Sequence, residues 1–255
     1  MARDAVPATA VDRLVRYLFI GAPGVGAAAG AEAGSDPDAG SDPLAAELAG
    51  WLESSPRFRT FAESNRDKIR KKLRGASDPE ARRDLRAELR AAHLLLANKG
   101  FEVAFEAYGS GKPGPDFTVT FRGERRFNLE VTRRRGADAA GYGWALLAKL
   151  RQLPPSVPNA ILIAIDGEGA EAVDVEAAAR ALRARADRKD EAFFVDRGFD
   201  GSRGFYERFL RLGAVFVLAE DGTGAGRASL WINRSARIEM PPRAARACLL
   251  ALGDH

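Results

Sequence analysis

Apolar residues along this chain follow two rhythms, and the change from one to the other at Gly100 organises its middle third. Leu85, Leu89, Ala92 and Leu96 recur at three- and four-residue intervals, which predicts a helix with one core-facing stripe. Asp78 is suited to cap it, Pro79 fits its first turn, Glu80 complements its dipole and Gly100 ends it. After Gly100 the interval becomes two. Phe101, Val103, Phe105 and Ala107 alternate with Glu102, Ala104 and Glu106, as in a half-buried strand. A loop over 109–115 leads to a second strand, with Phe117, Val119 and Phe121 on one face and Asp116, Thr118 and Thr120 on the other. Arg122-Gly123-Glu124 turns the chain back. The return strand sets Phe127, Leu129 and Val131 against Asn128, Glu130 and Thr132.

A helix follows, through about Leu153, with Leu146, Leu147, Leu150 and Leu153 facing the core and Ala145, Lys149 and Gln152 on a second stripe. Ala160 to Ile165 is a continuous apolar run, as in a strand buried on both faces. Strand, helix and strand in this order imply a right-handed crossover and a parallel pair. Farther on, Asp174 caps a predicted helix to Lys189, and Arg203 to Leu212 suggests another. Ala214–Ala219 and Ala228–Ile232 read as strands joined by a turn over 221–226, and Pro242 opens a last short helix. These elements either extend the core sheet or form a small α+β lobe. Asp166, Glu168, Asp174 and Asp196 read as caps and turn residues.

The expected organisation is an amphipathic segment over 1–20, a flexible linker over 21–43, a basic helical segment over 44–76, a core over 77–166 and the C-terminal elements over 167–255. The linker rests on its Gly, Ala, Ser, Asp and Pro content, including a repeated Gly-Ser-Asp-Pro. Its Gly21-Ala-Pro-Gly-Val-Gly26 has the glycine frame of a phosphate-binding loop. However, Ala27 and Ala28 stand where lysine and a hydroxyl are needed. Asp12, Arg13 and Arg16 break up a would-be signal peptide, and no stretch approaches the roughly 20 apolar residues of a membrane span. The expectation is a cytoplasmic protein with no membrane partner.

Composition changes this picture little: 46% hydrophobic and 29% charged residues suit a globular protein of 255 residues. The single cysteine, Cys248, excludes an intrachain disulfide and lies in an apolar run where a buried thiol is expected. The net charge of +4 is modest, but basic residues cluster between Arg57 and Arg74. That cluster reads equally as a solvated helix face or a phosphate-contacting surface. His93 lies off the apolar stripe and reads as a surface or locally bonded residue rather than a ligand.

The hairpin carries the sharpest chemistry. With Gly123 at its midpoint, Phe117 falls opposite Leu129 and Asp116 opposite Glu130, both acids on the face away from the phenylalanines. Cross-strand neighbours stand about 4.5–5.5 Å apart at Cβ. Two carboxylates that close need a shared proton or a cation, and oxygen-only ligands favour Mg2+ or Mn2+ over zinc.

The order helix, three strands, helix, strand, with Pro115-Asp116 leading one strand and Glu130 in the next, resembles the PD-(D/E)XK nuclease superfamily. The resemblance covers about residues 78–165. It implies an α/β fold with a restriction-endonuclease-like mixed-sheet core flanked by helices, the C-terminal α+β elements being additional. It also implies a metal-dependent nuclease in which Asp116 and Glu130 bind the metal, Glu88 on the first core helix assists, and dimers are common. One position departs: the family pattern has a lysine two residues after the second acid, where this chain has Thr132. Lys149 and Gln152 on the following helix are the candidate replacements, with Lys112 after them. Arg133, Arg134 and Arg135, with Lys112, are candidate contacts to the nucleic-acid backbone, DNA being favoured over RNA. Two other classes stay open: a nucleic-acid-binding module of the same fold that has lost catalysis, and a structural protein in which the two acids pair with arginines.

Overall fold

A computed structural model of the chain describes residues 9–22, 42–108, 114–123, 125–134, 140–166, 175–220 and 226–253. The chain divides into two compact units, Met1–Ala97 and Asn98–His255.

The first unit is helical, with α1 (Ala10–Phe19), α2 (Pro43–Ser54), α3 (Pro56–Ser64), α4 (Arg66–Gly75) and α5 (Pro79–Ala97). Each start follows from local chemistry. Thr9 and Asp12 form a capping box, while Asp42 and Ser55 cap helices that open on proline. The Asp78 carboxylate accepts the Ala81 N–H at 2.9 Å at the head of α5. Leu85, Leu89, Ala92 and Leu96 are all buried, as their spacing predicts. α5 packs on α2, α3 and α4, and the first unit runs to Ala97.

Much of the basic cluster is used inside this unit. Arg57 donates to the Leu96 carbonyl at 2.7 Å, and Arg66 and Arg70 lie over the Tyr17 ring at 5.3 and 4.6 Å. His93 stacks on Trp51 and meets Phe58 edge-on, a locally packed histidine. Of the expected linker, residues 23–41 lie outside the described residues, while Asp42 and Pro43 already belong to the start of α2.

The second unit is built on one six-stranded sheet, β1 (Phe101–Phe105), β2 (Phe117–Phe121), β3 (Arg125–Arg133), β4 (Asn159–Asp166), β5 (Leu212–Glu220) and β6 (Gly226–Ile232), in that spatial order. The first three strands form an antiparallel meander, β3, β4 and β5 are parallel, and β6 returns antiparallel. Phe117 pairs with Leu129 and Phe121 with Arg125, the register that a turn centred on Gly123 requires. Arg122 and Gly123 both hold positive φ there, which explains a glycine at the tip.

The two parallel connections carry α6 (Ala140–Leu150) and then α7 (Val175–Asp187), α8 (Glu191–Val195) and α9 (Gly201–Phe209). Two successive crossovers in the same direction and of the same hand place their helices on one face. There Leu146, Leu150, Leu182 and Phe205 bury against Ile161, Ile163, Val215 and Val217. The final helix, α10 (Pro242–Gly253), packs on β5 and β6, with Gly253 against Ala228 on the opposite face. Residues 160–165 are buried without alternation because β4 is covered on both sides. The C-terminal strands therefore continue the core sheet rather than forming a separate lobe. Asp174, the expected cap of α7, and the turn over 221–225 lie outside the described residues. Cys248 is fully buried on α10, where loss of solvent pushes its thiol pKa upward. No helix among the described residues is long and apolar enough to cross a membrane.

Candidate functional site

The site begins with Pro115. A proline brings no N–H, so the β2–β3 ladder cannot continue through it as an ordinary pair. The Asp116 side chain fills in: its Oδ2 accepts the Val131 N–H at 2.8 Å, and the Asp116 N–H in turn donates to Glu130 Oε2 at 3.1 Å. The two acids thereby lock the start of β2 to the middle of β3, side by side, as the hairpin register predicts.

Glu130 faces the helix-covered side of the sheet, in register with Ile161 of β4. It is only 1% exposed. α6 packs on β3 and β4, and Lys149 near its C-terminal end donates to Glu130 Oε1 at 2.6 Å. Burial is the largest influence on the Glu130 carboxyl, with the neighbouring Asp116 charge next. Together they outweigh Lys149 and the Asp116 N–H and raise its pKa from 4.5 to about 7. A carboxyl in this position is half ionised near neutral pH, and a cation arriving at the pair would complete its ionisation.

A second group of polar residues lies beside the acids on the same face. Asn128 is fully buried, accepts from Thr118 Oγ1 at 3.2 Å and donates to Asn159 Oδ1 at 2.9 Å. Asn159 spends its own amide on three carbonyls, those of Pro154, Val157 and Arg211, at 2.8–3.0 Å. Tyr108, at the end of the chain leading from β1, bonds to the Asn128 amide. This ladder holds three strands and the α6–β4 loop in fixed positions around Glu130. The alternation in the sequence puts Thr118 and Asn128 on the polar face but gives them no role. The one signal for it is an asparagine, Asn159, immediately before the apolar run of β4.

Of the other candidate residues, Lys149 joins the acids through its bond to Glu130. Gln152 lies in the turn after α6, half-buried, its backbone N–H on the Lys149 carbonyl at 3.0 Å. Among the described residues no hydrogen bond joins its side chain to either acid. Thr132 is half-buried on the same face as Glu130, opposite Ile163. Arg133 ends β3, and Arg134 lies over the Tyr142 ring at 4.2 Å, turned onto α6. Glu88 belongs to the first unit, where it pairs with Lys72 of α4 at 2.5 Å. Lys112 and Arg135 lie outside the described residues.

The donor chemistry fits a hard divalent ion. Magnesium is commonly held by one or two carboxylates, with water and substrate phosphate completing its shell, so Asp116 and Glu130 can supply the protein's share. Among the described residues no group of three or more His, Cys, Asp or Glu side chains gathers around a common point. Set against protein-family models, curated proteins and solved structures, the chain matches none.

Proposed function

We propose that the second unit is a metal-dependent phosphodiesterase that cleaves nucleic acid, with Asp116 and Glu130 holding Mg2+ or Mn2+. The observation that carries this reading is the joining of Asp116, Glu130 and Lys149 at one point by direct hydrogen bonds. Two acids and a lysine suit hydrolysis of a phosphodiester, because a cation held by the acids and the ammonium would both offset the negative charge that accumulates on the phosphate as water attacks. The sequence of an antiparallel β1–β2–β3 meander, α6 and a parallel β4 further supports a restriction-endonuclease-like core.

Each residue has a distinct task. Asp116 and Glu130 hold the ion, and their mutual backbone bonds keep them from separating under charge repulsion. Bound there, the ion would polarise a phosphate oxygen and lower the pKa of a water molecule. Lys149 comes from α6 instead of from position 132. Its ammonium now offsets the charge on Glu130 and is placed to offset charge on a phosphate beside it. Arg133, at the end of the same strand, is suited to hold the backbone without reading sequence.

The test is cleavage of plasmid DNA, and of RNA, with and without Mg2+ or Mn2+. Asp116→Ala and Glu130→Ala should each abolish metal-dependent cleavage, and Lys149→Met should slow it about 100-fold. Full activity in both carboxylate variants removes the assignment. Metal-independent binding of nucleic acid without cleavage would instead leave a binding module, the reading favoured by Thr132 in place of the lysine.

A further inference from the structure

On the same sheet face as Glu130, but at the far side of the sheet, α7 and the end of β6 enclose a cleft of about 450 Å³. Glu130, Ile161, Val215 and Trp231 form one row across β3, β4, β5 and β6, and Trp231 lines the cleft. Three strand spacings place it about 14 Å from the acids along that row.

The cleft is a cationic feature. Arg180 and Arg183 stand three residues apart on α7 and so share one helix face, and Arg234 approaches from the turn after β6. All three are exposed, and Glu176 is the acid among the described lining residues. The turn that carries Arg234 is firmly seated. Buried Asn233 donates to the Phe209 and Leu212 carbonyls at 3.1 and 2.8 Å, and its side-chain oxygen accepts the Ser235 N–H at 3.1 Å.

We propose that this cleft docks the phosphodiester backbone of a nucleic-acid strand, as a sequence-independent contact remote from the carboxylates. Guanidinium groups present planar pairs of donors that match phosphate oxygens. Small-molecule sites are mostly enclosed and apolar, whereas this cleft is half-open, polar and rimmed by exposed arginines, which suits a continuous polyanion. The proposal rests on the nucleic-acid reading given above, but it concerns binding and can be tested without cleavage.

The experiment uses the full chain in EDTA with a short fluorescein-labelled DNA duplex, following anisotropy over a series of salt concentrations. Replacing all three residues (Arg180→Ala, Arg183→Ala, Arg234→Ala) should weaken binding about 10-fold or more at low salt. It should also reduce the slope of log affinity against log salt by about 2 to 3. A control replacement outside the cleft, Arg203→Ala on α9, where the side chain is 91% exposed, should leave affinity and slope nearly unchanged, and because the readout is binding in EDTA, failure of the catalytic assignment and failure of this one are told apart. Should the triple variant melt early, single Arg→Gln replacements, each lowering the slope by about 1, provide the same readout. Unchanged affinity and slope in these variants overturn the proposal. So does tight ATP binding by the wild type that the arginine variants lose while DNA binding stays intact, because the cleft would then be a small-molecule site.

Discussion

Asp116 and Glu130 are each bonded to the other's strand: the Asp116 N–H to the Glu130 carboxylate, and the Asp116 carboxylate to the N–H of Val131, one residue past Glu130. Two acids that would repel are thereby held together by backbone donors. A balancing charge arrives from a third element, through Lys149. Stability and pH response follow from this arrangement.

Removing the lysine exposes what it offsets. Lys149→Met should destabilise the second unit by about 2–3 kcal/mol near pH 8, where Glu130 is ionised and buried, and by little near pH 5, where it is neutral. Lys149 keeps a side-chain exposure of 21%, which holds the loss below that of a fully buried pair. Urea denaturation at the two pH values measures both; an equal loss at each would contradict the assigned charge balance.

Glu130 itself should give a pH signature of unusual sign. Its folded-state pKa, about 7, lies above the ordinary value of 4.5, so the native state holds this proton more tightly than the unfolded chain. The resulting stability is complete below the unfolded value and is lost as pH rises through the folded value. Relative to Glu130→Gln, in which the titration is absent, wild-type stability should fall by about 3 kcal/mol at most between pH 4.5 and 8. A pH-independent difference between the two proteins would show that the carboxyl titrates normally.

Metal should reverse that loss. With Mn2+ present at about 100 times its dissociation constant, the wild type gains about 2.7 kcal/mol. The gain should be larger near pH 8 than near pH 5, because protons compete for Glu130, and Asp116→Ala should abolish it. Differential scanning calorimetry with and without Mn2+ reads this directly, apart from any cleavage.

The asparagine ladder is a structural support with a measurable cost of removal. Asn159→Ala would leave the Pro154, Val157 and Arg211 carbonyls without the Asn159 donor and take from the Asn128 amide its Asn159 acceptor, leaving it the Tyr108 hydroxyl. A loss of about 2–4 kcal/mol is expected in chemical denaturation. Asn159→Asp should cost at least as much, since it replaces the shared amide donor with a buried acid.

Period-two alternation by itself makes the hairpin legible in the sequence. Phenylalanines on one face and short polar residues on the other admit a single register, because a slip of one residue inverts a whole strand. That register is enough to place Asp116 beside Glu130. The helical stripe of α5, the crossover through α6 and the parallel pairing of β4 are readable for the same reason: each depends on spacing within a short segment. Other features are decided only when separate elements pack. Glu130 is 19 residues from Lys149 and Asn128 is 31 from Asn159, and no local pattern reports which side chains a docked helix or a neighbouring strand will bring together. The same is true of Glu88, whose place on the edge of the stripe is visible in the sequence but whose partner Lys72 comes from another helix. Periodicity records which face of an element is turned inward. Depth of burial, and with it the protonation of Glu130, depends on what the rest of the chain lays over that face.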